Sequence, residues 1–180
     1  MKELPQVELF EGLAACIVGG QATRHYMPER TTVDIDVLIL PDQFEIASRR
    51  LQDAGYVTDG KPLAFPDSRL GLMGRRYRRD PMPIDMITSE QTWVRLATGE
   101  ATKVGGAERP VALPYLILMK LDASRGVDQG DLTRMLGLAS DGDLRRVRDI
   151  IERFLPGDRD DLEQYIAIGR LELGVTGDEA

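Results

Sequence analysis

Apolar residues in this chain come in short dense runs near its beginning and in helix-spaced stripes towards its end, so the pattern changes period part way along. The first run, Ala14-Ala15-Cys16-Ile17-Val18, stops at Gly19-Gly20 and reads as a strand over 15–18, a glycine turn and a helix over 20–26. The second, Val33-Asp34-Ile35-Asp36-Val37-Leu38-Ile39-Leu40, is β-branched and apolar apart from two acids, and reads as a buried strand. A third, Met82-Pro83-Ile84-Asp85-Met86-Ile87, is another apolar strand with one acid in its middle. An opening helix over 6–13, a helix over 42–54, short strands through 56–80 and a helix over 90–97 complete this half. A turn-rich link follows, with Gly99, Gly105-Gly106 and Pro110, and then helices near 114–124, 129–138, 142–154 and 159–171, with a frayed acidic tail from Gly174.

The pattern predicts an α/β (α+β) chain: a mixed sheet with flanking helices, followed by a C-terminal helical cap. Glycine and proline near 99–114 mark the one plausible internal boundary, giving a catalytic α/β subdomain over 1–108 and a helical subdomain over 109–180. In the latter, Leu116, Leu118, Met119 and Leu121 make too broad an apolar face for solvent, and Lys120 interrupts it.

The acids on the strands carry the candidate chemistry. Side chains alternate along a strand, so Asp34 and Asp36 share a face while Ile35 and Val37 point to the other. Two carboxylates about 6.5–7 Å apart along one face can converge on a divalent ion. Without a cation or donors between them they would repel. Asp85 completes a trio if its strand pairs beside the first. In two-metal transfer such a trio holds two Mg²⁺ ions about 3.5–4 Å apart, and Asp85 could also accept a hydroxyl proton. Gly19-Gly20 lets the backbone approach a ligand, and unpaired N–H groups at the following helix start attract phosphate oxygens. A dinucleotide-binding turn is the rival reading, but the third glycine of its pattern is missing.

The order Gly19-Gly20, Asp34-x-Asp36 and a later Asp85 resembles the polymerase-β-like nucleotidyltransferase superfamily. Gly19-Gly20-Gln21-Ala22, the run Arg30-Thr31-Thr32-Val33-Asp34-Ile35-Asp36, and Lys120-Leu121-Asp122-Ala123-Ser124-Arg125 with Asp128 and Asp131-Leu132 look most like its AbiEii-type toxin branch. The resemblance spans roughly 13–136 and implies a minimal nucleotidyltransferase core. It further implies Asp34, Asp36 and Asp85 as catalytic metal ligands, two Mg²⁺ ions, and a nucleoside triphosphate as substrate bound at Gly19 and Gly20. Lys120 would neutralise the triphosphate and Arg30 would lie near the site mouth. A hydroxyl of the acceptor would attack the α-phosphorus and pyrophosphate would leave. RNA, above all a tRNA end, is the acceptor the branch implies, with a cognate antitoxin as partner. Gly20 stands where many members carry serine, which removes a hydroxyl that would contact a terminal phosphate.

Other readings stay open beside this one. A small hydroxylated acceptor such as an aminoglycoside fits the net charge of −7, and a non-catalytic nucleotide-binding or interaction module would follow from loss of the serine hydroxyl. That charge disfavours non-specific coating of nucleic acid. Arg69, Arg75, Arg76, Arg78 and Arg79 form a local basic cluster that either lines the catalytic mouth or is a solvated edge hairpin. Asp128 and Asp131 double as capping residues for the helix after Gly126-Val127. His25 is expected on the surface or in packing, Trp93 between its helix and the sheet, and the single Cys16 in the core. One cysteine excludes an internal disulfide and, with one histidine, argues against a Cys/His zinc site. At 180 residues and 42% apolar, with no membrane-length apolar run and no basic-then-apolar leader, a cytoplasmic soluble protein is expected.

Overall fold

A computed structural model of the chain describes residues 7–27, 29, 31–104 and 109–174. It divides into two compact units, Met1–Ala112 and Leu113–Ala180, the division falling a few residues beyond the boundary expected after 108.

The first unit is built on a mixed four-stranded sheet in the order β1-β2-β4-β3. β1 (Ala15–Val18) runs antiparallel to β2 (Ile35–Ile39), β2 parallel to β4 (Ile84–Thr88), and β4 antiparallel to β3 (Met73–Tyr77). α1 (Gly19–Tyr26) joins β1 to β2, α2 (Phe44–Asp53) follows β2, and α3 (Thr92–Val104) follows β4. β2 and β4 are nearly continuous apolar runs because both faces of the central strands are covered.

Strand alternation sorts the two faces. Ile35, Val37 and Ile39 of β2, Ile84 and Met86 of β4 and Tyr77 of β3 pack with Ala47 and Leu51 of α2, with Phe10 of the 3-10 turn Val7–Phe10 and with Leu13 just after it. Each large aliphatic side chain buried this way contributes about 1.5–3 kcal/mol. The opposite face carries Cys16, Leu38 and Ile87 in one row, all buried, and Val18, Asp36, Asp85 and Arg76 in the next. Burial pushes the Cys16 thiol far above its ordinary range, so it is an inert core residue.

Three local expectations are corrected. The opening helix is a single 3-10 turn. Between 56 and 80 the only strand is β3, with isolated bridges at Val57↔Arg78 and Pro62↔Arg75, because glycine and proline interrupt the rest. α3 runs through Gly99 to Val104 instead of ending at a turn: Trp93, Val94, Ala97 and Ala101 bury one side of it, which offsets the cost of about 1 kcal/mol for an internal glycine. Trp93 is fully buried, its Nε1–H donating to the Leu70 carbonyl at 3.3 Å.

Among the described residues the second unit is built of helices: α4 (Leu113–Ala123), α5 (Gly126–Leu138), α6 (Asp141–Phe154) and α7 (Arg159–Glu172). α4 packs on α5 and α6, and α5 on α7. The α5–α7 crossing is close because Gly137 and Gly169 face each other; a Cβ on Gly169 would lie 2.0 Å from the Thr133 carbonyl oxygen. Ser140 caps α6 by accepting the Asp143 N–H at 3.1 Å. Among the described residues no helix is long and apolar enough to cross a membrane.

Candidate functional site

The sheet register builds the site as a row. Val18 is opposite Asp36, Asp36 opposite Asp85, and Asp85 opposite Arg76, so one rung crosses all four strands on a single face. Asp34 lies in the bend just before β2, two residues from Asp36 and on the same side. The consequence is convergence: one carboxylate oxygen from each of Asp34, Asp36 and Asp85 lies within 4.8 Å of the others. Asp85 is buried, whereas Asp34 and Asp36 are partly exposed, so the cluster opens to solvent on one side.

Two supports fix the acids. Thr32 Oγ1 donates to Asp34 Oδ1 at 2.9 Å, tying the approach to β2 to its first acid. Arg76 holds Asp85 with a two-point fork, Nε to Oδ1 at 2.6 Å and Nη2 to Oδ2 at 2.5 Å, and its Nη2 lies 3.6 Å from Asp34 Oδ2. This hydrogen bond to Asp85, with the charges of Asp85, Asp34 and Asp36, raises the guanidinium's affinity for its proton further above its ordinary value, against the opposing effect of burial. Arg76 as the direct partner of the trio was not singled out from the sequence beyond its membership of the basic cluster. Counting parity along β3 would have separated it from Arg75, but the pairing of Arg76 with Asp85 is a long-range register.

The glycine turn sits against the same acids. Gly19 has φ of +58°, and a Cβ there would fall 1.9 Å from Asp36 Oδ2, so only glycine lets β1 turn into α1 beside that carboxylate. At Gly20 a Cβ would meet Thr32 Cβ and Oγ1 at 2.7 Å each. α1 starts here without a side-chain cap on its first turn.

Other candidates fall elsewhere. Arg30 lies outside the described residues. Strand alternation sends Arg75 to the opposite face, where it lies 3.6 Å from Glu45, donates to the Tyr77 hydroxyl at 3.3 Å and stacks over the Phe44 ring. Arg78 pairs with Asp59 at 3.6 Å, and Arg79 donates to the Ala54 carbonyl and lies over Tyr56. The basic cluster is therefore divided between two faces and the strand's end. His25 is exposed, edge-on to Tyr26.

In the second unit Lys120 is buried, its ammonium 3.0 Å from Asp128 Oδ1 and 2.7 Å from Asp131 Oδ2. These two contacts account for its burial without a ligand. Capping by Asp128 is corrected: the residue at the cap position of α5 is Arg125, without a side-chain cap bond, and Asp128 is fully buried one turn further on. Arg125 Nε donates to Asp128 Oδ2 at 2.7 Å. Burial pushes the Asp128 carboxyl up, but the Arg125 and Lys120 hydrogen bonds and charges outweigh it and hold it below the ordinary carboxylate range.

The donor set at the trio is three hard carboxylate oxygens with no sulfur or imidazole among them, which suits Mg²⁺, Mn²⁺ or Ca²⁺ over zinc or copper. These three acids could hold a metal ion. Compared with models of known protein families and with curated proteins, the chain matches none.

Proposed function

We propose that the first unit is a divalent-metal-dependent nucleotidyltransferase, joining the nucleoside monophosphate part of a nucleoside triphosphate to an acceptor hydroxyl. The observation that carries this reading is the convergence of Asp34, Asp36 and Asp85 within 4.8 Å on one sheet face, next to a glycine turn that opens a helix.

Each residue has a task in this reading. Asp34, Asp36 and Asp85 would hold Mg²⁺, which when bound supplies Lewis acidity at the reacting phosphoryl oxygens and charge neutralisation for the triphosphate. Thr32 keeps Asp34 turned toward the other two acids. The first-turn N–H groups of α1 and the bare backbone at Gly19 and Gly20 offer donors to phosphate oxygens, helped by the helix dipole. Asp85, the most buried of the three, would take the proton of the attacking hydroxyl in this reading. The protein forms no covalent intermediate in this scheme, so positioning and electrostatics supply the rate.

The test is transfer of label. Purified protein is incubated with Mg²⁺, each α-labelled nucleoside triphosphate in turn, and either total tRNA or a panel of aminoglycosides, beside an Asp34→Asn/Asp36→Asn control. Label should move to one acceptor class and only with the acids intact, which also chooses between RNA and small-molecule acceptors. Transfer that survives in the control would overturn the assignment.

A further inference from the structure

Arg76 and Asp85 form the tightest charge pair at the site, and the two partners differ in freedom. The Asp85 side chain is 9% exposed and fixed in the rung, while the Arg76 side chain is 38% exposed on β3. Both oxygens of Asp85 accept from the guanidinium, one from Nε and one from Nη2. A divalent ion bound by the trio needs one of those oxygens and brings two positive charges beside a guanidinium that already sits 3.6 Å from Asp34. Cation repels cation, so the ion and the fork compete for the same carboxylate. The half that can yield is the exposed one. A guanidinium fork that fits a carboxylate also fits two oxygens of a phosphate, with equally parallel N–H bonds.

From this geometry we infer that Arg76 is a triphosphate-binding cation held in reserve on Asp85: the divalent ion takes the carboxylate, and the displaced guanidinium takes the phosphate oxygens of the nucleotide. The inference rests on the metal-dependent reading of the trio. It makes metal and triphosphate mutually dependent ligands, since metal alone must displace Arg76 at a loss and nucleotide returns a partner to it.

The sign of one measurement separates this from a supporting role. Residues that merely brace a metal ligand lower metal affinity when removed, by about 10–100-fold. Removal of a competitor does the opposite. Mn²⁺ binding is followed by loss of the free-ion paramagnetic resonance signal for wild type, Arg76→Gln and Arg76→Lys, with and without a non-hydrolysable triphosphate, and with Asp36→Asn as the site control. The Arg76→Gln variant should bind Mn²⁺ alone about tenfold more tightly than wild type, while the gain on adding triphosphate shrinks by a similar factor. Arg76→Lys, keeping charge without the fork, should fall between. Mn²⁺ affinity that is unchanged or weaker in Arg76→Gln, with binding still lost in Asp36→Asn, would overturn the exchange and leave the metal site standing. No Mn²⁺ binding by any variant would overturn both.

Wild-type protein gives a second readout, for which a variant serves only to assign the signal. The Arg76 Nε–H, donating at 2.6 Å, should give a downfield, slowly exchanging nitrogen-15-edited signal, assigned by its loss in Arg76→Lys. Saturating Mg²⁺ with triphosphate should shift that signal, and Mg²⁺ alone should speed its exchange. A signal indifferent to both would overturn the proposal.

Discussion

Gly20 and Thr32 share one small space: a Cβ on Gly20 would stand 2.7 Å from both Cβ and Oγ1 of Thr32, and that hydroxyl is the one that donates to Asp34 at 2.9 Å. The absence of a side chain at position 20 thus has a local purpose, because it makes room for the group that orients the first acid of the trio. Gly20→Ser, which installs the hydroxyl common in the resembled superfamily, should push Thr32 away and lower Mn²⁺ affinity several-fold. Thr32→Val, nearly the same shape without the donor, should reproduce most of that loss and cost about 0.5–1.5 kcal/mol in stability. Isothermal titration with Mn²⁺ and urea unfolding check both; tighter metal binding in Gly20→Ser would show that Thr32 has another place to go.

Gly19→Ala should be more severe than Gly20→Ser. It places a side chain at φ of +58° and 1.9 Å from Asp36 Oδ2, so the turn and the acid must both shift. A backbone penalty of about 1–3 kcal/mol is expected, together with loss of metal binding. Thermal unfolding with and without Mn²⁺ reads the two effects separately, and retention of metal binding would contradict the contact.

Metal should stabilise the fold through the trio. Ion at a hundred times its dissociation constant adds about 2.7 kcal/mol to a protein that binds it only when folded. Wild type should therefore melt at a higher temperature in saturating Mn²⁺, and Asp36→Asn should not. Without metal, Asp36→Asn should be as stable as wild type or more so, since it removes one member of a group of like charges. A stabilisation by Mn²⁺ that persists in Asp36→Asn would place the ion elsewhere.

What the sequence reveals of this site follows from how local each signal is. β1 is bounded by a glycine turn and was legible to the residue, and the same-face placement of Asp34 and Asp36 follows from alternation alone. The mixed sheet with its later helices was legible because the apolar period changes from dense runs to helical stripes. Arg76 was hidden among five arginines, because only the long-range pairing of β3 with β4 brings it to Asp85. Asp128 looked like a cap because its neighbours are Gly126-Val127. Its actual partners are Arg125, three residues away, and Lys120 on another helix, and no local rule specifies the second.

The Lys120 network yields the sharpest stability prediction. Lys120→Met removes one ammonium and leaves Asp128 and Asp131, both buried, with one fewer counter-charge. Breaking a buried pair from one side costs about 3–5 kcal/mol. The network also sets an acid limb. Asp128 has a folded carboxyl held below its unfolded value of about 3.9, so the unfolded chain takes up its proton first as pH falls. The stability it contributes is complete above that value and is lost as pH drops through the folded one. In Lys120→Met the ammonium that helps hold Asp128 down is gone, so the variant should start less stable at pH 7 and lose less on acidification between pH 5 and 2. Urea unfolding followed by helical circular dichroism at several pH values checks this. Equal stability of the two proteins at neutral pH would mean that the buried network contributes nothing to the helical unit, and would return Lys120 to a role at a bound ligand.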